Sequence, residues 1–162
     1  MKLPGYDGAT GWLNSAPLAA ADLEGKVVLT DFWTYTCINW LRTLAWVRAW
    51  ADTYKGKGLV VVGVHTPEFP FERDTDNIRL ALKDMNVAYP VAIDSDYAVW
   101  RAFDNNYWPA VYIADADGRI RHHDFGERMG RGIGHEAVCS PNPFISLRFD
   151  SAWKLALGGN IR

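Results

Sequence analysis

The sequence predicts an α/β domain built on a mixed central sheet. Three observations point there. Two runs, "KVVLTDFW" (26–33) and "LVVVGVHT" (59–66), are β-branched and nearly all apolar, as strands covered on both faces are. Between and after them, apolar residues recur at helical spacing. Further on, "DADG" supplies turn chemistry between two alternating runs, the signature of a hairpin. Strands alternating with helices and then closed by a hairpin give parallel and antiparallel pairing in one sheet.

Each element follows in chain order. Residues 1–25 are rich in Gly, Ala and Pro, with turn signals at "DGATG" and "LNSAP", and read as a short hairpin or an irregular lead-in. After the strand at 26–33, Cys37, Leu41, Leu44, Val47, Ala51 and Tyr54 lie three or four apart and share one helical face. "KGKG" (55–58) ends that helix. The strand at 59–66 is followed by "PEFPFERDT", read as a loop. Ile78, Ala81, Leu82 and Met85 mark the apolar stripe of the next helix. "YPVAID" (89–94) is a third strand, "SDYAVWRAF" (95–103) holds a short helix, and "PAVYIADADGRIRHHDF" (109–125) is the hairpin.

From Glu127 the character changes. "ERMGRGIGHEAVCSPNPF" is punctuated by Gly and Pro and reads as loop. Ile145, Phe149, Ala152, Trp153, Ala156 and Leu157 could form the stripe of a last helix, the alternative being a partly ordered appendage. The expected organisation is one domain over 1–126, with 1–25 as its lead-in, and an atypical tail over 127–162.

Composition narrows the function. A chain of 162 residues, 49% hydrophobic and 22% charged, fits one domain with a sizeable core. A net charge of −2 offers no footprint for nucleic acid or an anionic membrane. No apolar run approaches the ~20 residues that span a bilayer. The N-terminus has no signal-type apolar segment. The expected compartment is the cytoplasm, with a periplasmic or other extracytoplasmic site the alternative for a chain trimmed at its start. Two cysteines, Cys37 and Cys139, are too few for a disulfide framework. Most of the eight tryptophans should be core. His122 and His123 are adjacent on a strand and point to opposite faces, so with His65 they make a poor chelating set. No Gly-rich phosphate loop follows a strand, and no cofactor or metal is expected.

Chemistry concentrates at Cys37, where strand turns into helix. "DFWTYTC" (31–37) leads to it, "WPAVYIADADGRI" (108–120) carries Pro109, and "LVVVGVHTPE" precedes a helix and "YPVAIDSD". On these motifs the chain resembles the thioredoxin superfamily, specifically the TlpA-like, redoxin or AhpC/TSA-type domains. With "WTYTCIN" and "YWPA" it most resembles the C-terminal thioredoxin-like domain of the DipZ cytochrome-biogenesis proteins. The resemblance covers roughly residues 8 to 127. It implies a thioredoxin fold, a mixed central sheet with flanking helices and a TlpA-like insertion. It also implies a cis peptide before Pro109, with Trp108 the residue that pairs with bound substrate backbone. Three departures stand out. Trp40 occupies the place of the second active-site cysteine, Ala45 that of the helix-kinking proline, and the tail after Gly126 does not match the sequence of the usual closing helix.

A cysteine at the first turn of a helix faces unpaired N–H groups and the positive end of the helix dipole. The expectation is therefore a pKa below the free value of ~8.5 and a nucleophilic Cys37. The alternative is an inert cysteine packed under Trp33 and Trp40. Trp40 has no thiol, so no partner within the motif can release a mixed disulfide. Three outcomes remain. One is peroxidase-like chemistry, with Thr34 completing part of a T-x-x-C pattern and Cys37 passing through sulfenic acid. Another is exchange resolved by an external thiol, glutathione or a protein thiol. The third is a non-catalytic module that holds extended peptide in a groove of Trp33, Trp40, Trp108 and Pro109. Cys139 could resolve Cys37, the default being a free surface thiol.

Two acids are candidate helpers. Asp31 lies six residues before Cys37, the spacing of the buried acid in thioredoxins. In an apolar strand its pKa should rise by desolvation, and it is either a relic, a proton relay for Cys37, or a plain hydrogen-bonded strand-end acid. Glu68 in "HTPEF" corresponds to an acid that lines the site in some TlpA-like proteins, or is ordinary surface. The overall expectation is a thiol-dependent oxidoreductase or peroxidase-like antioxidant protein using Cys37 alone.

Overall fold

A computed structural model describes residues 1–126. In chain order it contains β1 (Gly11–Leu13), α1 (Ala20–Leu23), β2 (Val27–Trp33), α2 (Ile38–Tyr54), β3 (Leu59–His65), a 3-10 turn (Pro70–Arg73), α3 (Thr75–Asp84), β4 (Val91–Ile93), α4 (Ala98–Ala102), β5 (Ala110–Ala114) and β6 (Ile120–Phe125). The expected loop-and-helix tail, and Cys139 within it, lie outside the described residues.

The strands form one sheet in the order β1-β4-β3-β2-β5-β6. β2, β3 and β4 run parallel, while β1, β5 and β6 pair antiparallel. The sheet is mixed, as expected. β2 sits near its centre and is buried along all seven residues, which explains its unbroken apolar run. Successive side chains go to opposite faces. Val27, Leu29, Trp33 and Val61 pack with Leu44 and Val47 of α2 and Ile78 and Leu82 of α3. Val28, Phe32, Val62 and Val64 pack on the other face with Tyr6, Trp100 and Phe103.

Three expectations are sharpened by the structure. Of the two readings of residues 1–25 the hairpin does not form and the lead-in is largely irregular: β1 pairs with β4, far away in sequence, through Gly11↔Ile93 to Leu13↔Val91. Local turn signals cannot reveal a partner some 80 residues on. The "PEFPFERDT" loop contains a turn of 3-10 helix, entered by Pro70 at its first position. On α2 Leu44 and Val47 are buried and Cys37, Ala51 and Tyr54 pack against the same core, as the stripe predicts, while Leu41 is exposed and Trp40 and Thr43 are buried in addition. At the start of the helix the buried face is set by Trp40, whose indole seats against Trp33 of β2.

Gly63 in β3 shows how tight that seat is. It pairs with Asp31 of β2, and a Cβ there would meet Trp33 Nε1 at 2.9 Å and Tyr89 at 3.0 Å. Only glycine leaves room for both rings at this register.

Candidate active site

The C-terminal ends of β2 and β3 and the start of β5 converge at one end of the sheet. Phe32 stands opposite Ala110, so Pro109 lies at the same end as the turn that carries Cys37. The Trp108–Pro109 bond is cis, as the resemblance implied. Trp108 is half-buried. Its ring packs 4.2 Å from Trp100, and its indole N–H donates to the Thr66 carbonyl at 3.0 Å.

Cys37 is the N-cap residue of α2, in extended backbone conformation, and is half-buried. Its carbonyl accepts the first helical bond from the Leu41 N–H at 3.0 Å. The sulfur makes no full capping hydrogen bond. The position is as expected from sequence, but its electrostatic consequence is reversed. Burial pushes the Cys37 thiol above its ordinary pKa. The amides of Trp40 and Asn39 oppose that shift, and the carboxylates of Glu68 and Glu72 reinforce it. Desolvation and the like charge of the two carboxylates together outweigh the helix-mouth amides.

Trp40 does not line a groove. Its side chain is fully buried, stacked on the equally buried Trp33 at 4.3 Å. Both indoles form the floor beneath the site, which removes Trp33 and Trp40 from the expected groove wall. The Trp40 N–H donates to Asp31 Oδ2 at 2.9 Å. In this motif an indole, not a second thiol, faces the buried acid. Desolvation raises the Asp31 pKa to about 7, against the opposing bond from Trp40. Asp31 is thus tied to the Trp40 scaffold.

Thr34 is fully buried and turned inward. Its hydroxyl lies 3.4 Å from His65 Nε2 and also bonds Glu72. His65 is fully buried too, and desolvation lowers its pKa to about 4 despite the nearby Glu72 charge, so the ring is neutral at pH 7. Tyr35 stacks on it at 5.6 Å.

Glu72 is the site residue that sequence reading missed. It is fully buried, yet it accepts hydrogen bonds from the Thr36 and Thr34 hydroxyls, from the Glu68 N–H at 2.6 Å and from the Phe69 N–H at 2.9 Å. Burial pushes its pKa up, but these donors outweigh it and hold the carboxyl below its usual value. The result is a fixed negative charge tied to Thr36, the neighbour of Cys37. A signal was present: Pro70 followed by Glu72 is the start signature of a helical turn, with the acid reaching back to an N-terminal amide. Glu68 itself is exposed, and its carboxylate raises the Cys37 pKa.

The AhpC/TSA family matches residues 5–123 of this sequence. The chain belongs to the AhpC/TSA family. This AhpC/TSA domain is 46% identical over 127 residues to protein DipZ of Mycobacterium tuberculosis (strain CDC 1551 / Oshkosh), covering 76% of this chain and 18% of DipZ. It is 31% identical over 124 residues to the thiol-disulfide oxidoreductase YkuV of Bacillus subtilis (strain 168), covering 76% of this chain and 83% of YkuV. Among solved structures, a thioredoxin-like protein in the oxidised form superimposes with a TM-score of 0.73 at 29% identity, over 85% of this chain and 95% of that one. The domain thus has a thioredoxin-like fold and is similar to a thiol-disulfide oxidoreductase. It spans about a fifth of DipZ. No helix among the described residues is long and apolar enough to cross a membrane. Among those residues no group of three or more His, Cys, Asp or Glu side chains is placed to hold a metal ion.

The acids make a direct prediction. Glu68→Gln should lower the Cys37 pKa, because it removes a negative charge from beside the thiolate. Alkylation rate against pH should show the reactive form appearing at lower pH than in the parent. An unchanged midpoint would place the Glu68 carboxylate out of reach of the sulfur.

Proposed function

We propose that this AhpC/TSA domain is a monothiol oxidoreductase, with Cys37 as nucleophile and an external thiol as its resolving partner. One observation carries the reading. The place of a second cysteine is filled by Trp40, buried and bonded to Asp31, while Cys37 stays half-exposed at the helix mouth. In the first step the Cys37 thiolate attacks a substrate disulfide, and the other substrate sulfur leaves as thiolate. In the second, an external thiolate attacks the mixed disulfide and returns Cys37 to thiolate. The raised thiol pKa makes the first step faster as pH rises. Peroxidase chemistry is less supported, because the Thr34 hydroxyl of the T-x-x-C pattern is engaged with His65 and Glu72.

The test is capture of a peptide on Cys37. The 162-residue chain, mixed with a peptide disulfide, should gain the peptide's mass at Cys37. Added glutathione or a dithiol should release it, and Cys37→Ser should abolish the adduct. Insulin should not be reduced catalytically without an added thiol. Absence of any adduct at pH 8–9 would remove the enzyme reading. It would favour a second one, a peptide-binding module beside Trp108 and Pro109, which is supported by the thiol remaining protonated at neutral pH.

A further inference from the structure

The surface around Cys37 is apolar and acidic at once. Ile38, the next residue, is 58% exposed. Across the turn, Phe69 and Phe71 are 47% and 55% exposed and stack at 5.6 Å with nearly parallel rings. Tyr35 joins this pair to the cysteine turn: its hydroxyl donates to the Phe71 carbonyl at 3.2 Å, and its ring lies 6.5 Å from that of Phe71. Large apolar side chains exposed together beside a reactive group mark a contact surface. Glu68, Glu72 and Asp74 supply the charge of the same segment. Of the cations nearby, Arg73 is shared with Asp96 at 4.0 Å and Arg79 is paired with Asp76 at 2.7 Å. Arg42, further along α2, has an interaction partner of its own.

We infer that Cys37 exchanges preferentially with disulfides of polypeptides that place aromatic and basic residues beside the cysteine, and disfavours anionic disulfides such as glutathione's. The inference rests on the oxidoreductase reading and names its substrate class. Apolar side chains flanking the substrate cysteine cover Phe69, Phe71 and Ile38. Arg or Lys side chains meet Glu68 and the faces of the phenyl rings. A disulfide carrying carboxylates brings like charge to Glu68 and Glu72, which costs encounter rate and orientation.

The step is a single exchange. The Cys37 thiolate forms an S–S bond to the peptide cysteine, the peptide's existing S–S bond breaks, and the departing sulfur carries away the electron pair as thiolate. With 2-nitro-5-thiobenzoate as the departing group on every probe, its colour reports the rate. The chain is used whole, as Cys139→Ser, so that Cys37 alone reports. The probes are acetyl-Arg-Phe-Cys-Phe-Arg-amide, its Glu-for-Arg counterpart, its Ser-for-Phe counterpart, and glutathione.

The basic aromatic probe should react about ten-fold faster than the acidic one or glutathione at low salt, with the ratio narrowing as salt is added. Glu68→Gln should narrow the basic-to-acidic ratio. Phe71→Ala should narrow the ratio of the aromatic probe to its Ser counterpart. Ratios cancel any change in thiolate fraction. Equal rates for all four probes, or a faster acidic probe, overturn the substrate class and leave the oxidoreductase reading standing. No release of the coloured thiol from any probe overturns both.

Discussion

Trp40→Ala is expected to cost the fold about 3–5 kcal/mol, read as a lower urea midpoint with an unchanged slope. The indole is fully buried and stacked on Trp33 at 4.3 Å, so its removal leaves a cavity beneath the site. It also strips Asp31 of the bond it receives at 2.9 Å. Asp31 Oδ1 already lacks a partner, so the carboxyl would be left with none among the described residues. Its pKa should climb further, because that bond is what opposes desolvation. Trp40→Phe separates the two effects. It keeps most of the ring volume and loses the donor, for a smaller cost of about 1–3 kcal/mol. Trp40→Cys would complete a two-thiol motif but should lose stability much as alanine does. A Trp40→Ala protein as stable as its parent would mean that the indole is not part of the core.

Asp31→Asn should stabilise the protein at pH 8 and do little at pH 4. The sign follows from the direction of the shift. The folded-state pKa is raised to about 7 from an ordinary 3.8, so the folded state holds a proton that the unfolded chain has released between those values. Stability therefore falls as pH rises from 4 to 7, by about 4 kcal/mol in all, and stays lower above that. Asn carries no charge to bury and still accepts the Trp40 N–H. Urea unfolding of both proteins at pH 4.5 and 8.5 checks this. An equal difference at the two pH values would show that Asp31 does not titrate in this window. Asp31 and Trp40 touch, so their variants should not be additive.

The difference between what could and could not be read in the chain is clearest around Cys37. β2 and β3 are runs whose burial is written in their own residues. The Cys37 helix mouth follows from a strand meeting a helical period, and cis Pro109 from a motif. Trp40 was visible as a departure, but whether it pointed to a groove or a floor was not. Leu41 and Trp40 differ by one position, or 100° of helix, and only the packing of α2 on β2 selects between them. Pro70 and Glu72 mark the start of a helical turn in the sequence, but the burial of Glu72 beside the Cys37 turn comes from the fold of that segment and is not written in its own residues.

The chain's own residues thus determined which elements form and where the sulfur sits along them, because periodicity and turn chemistry act over a few neighbours. Tertiary structure alone decided the charge state of that sulfur. A pKa sums desolvation and the fields of groups brought close in space. The two acids that act on Cys37 come from a segment more than thirty residues away.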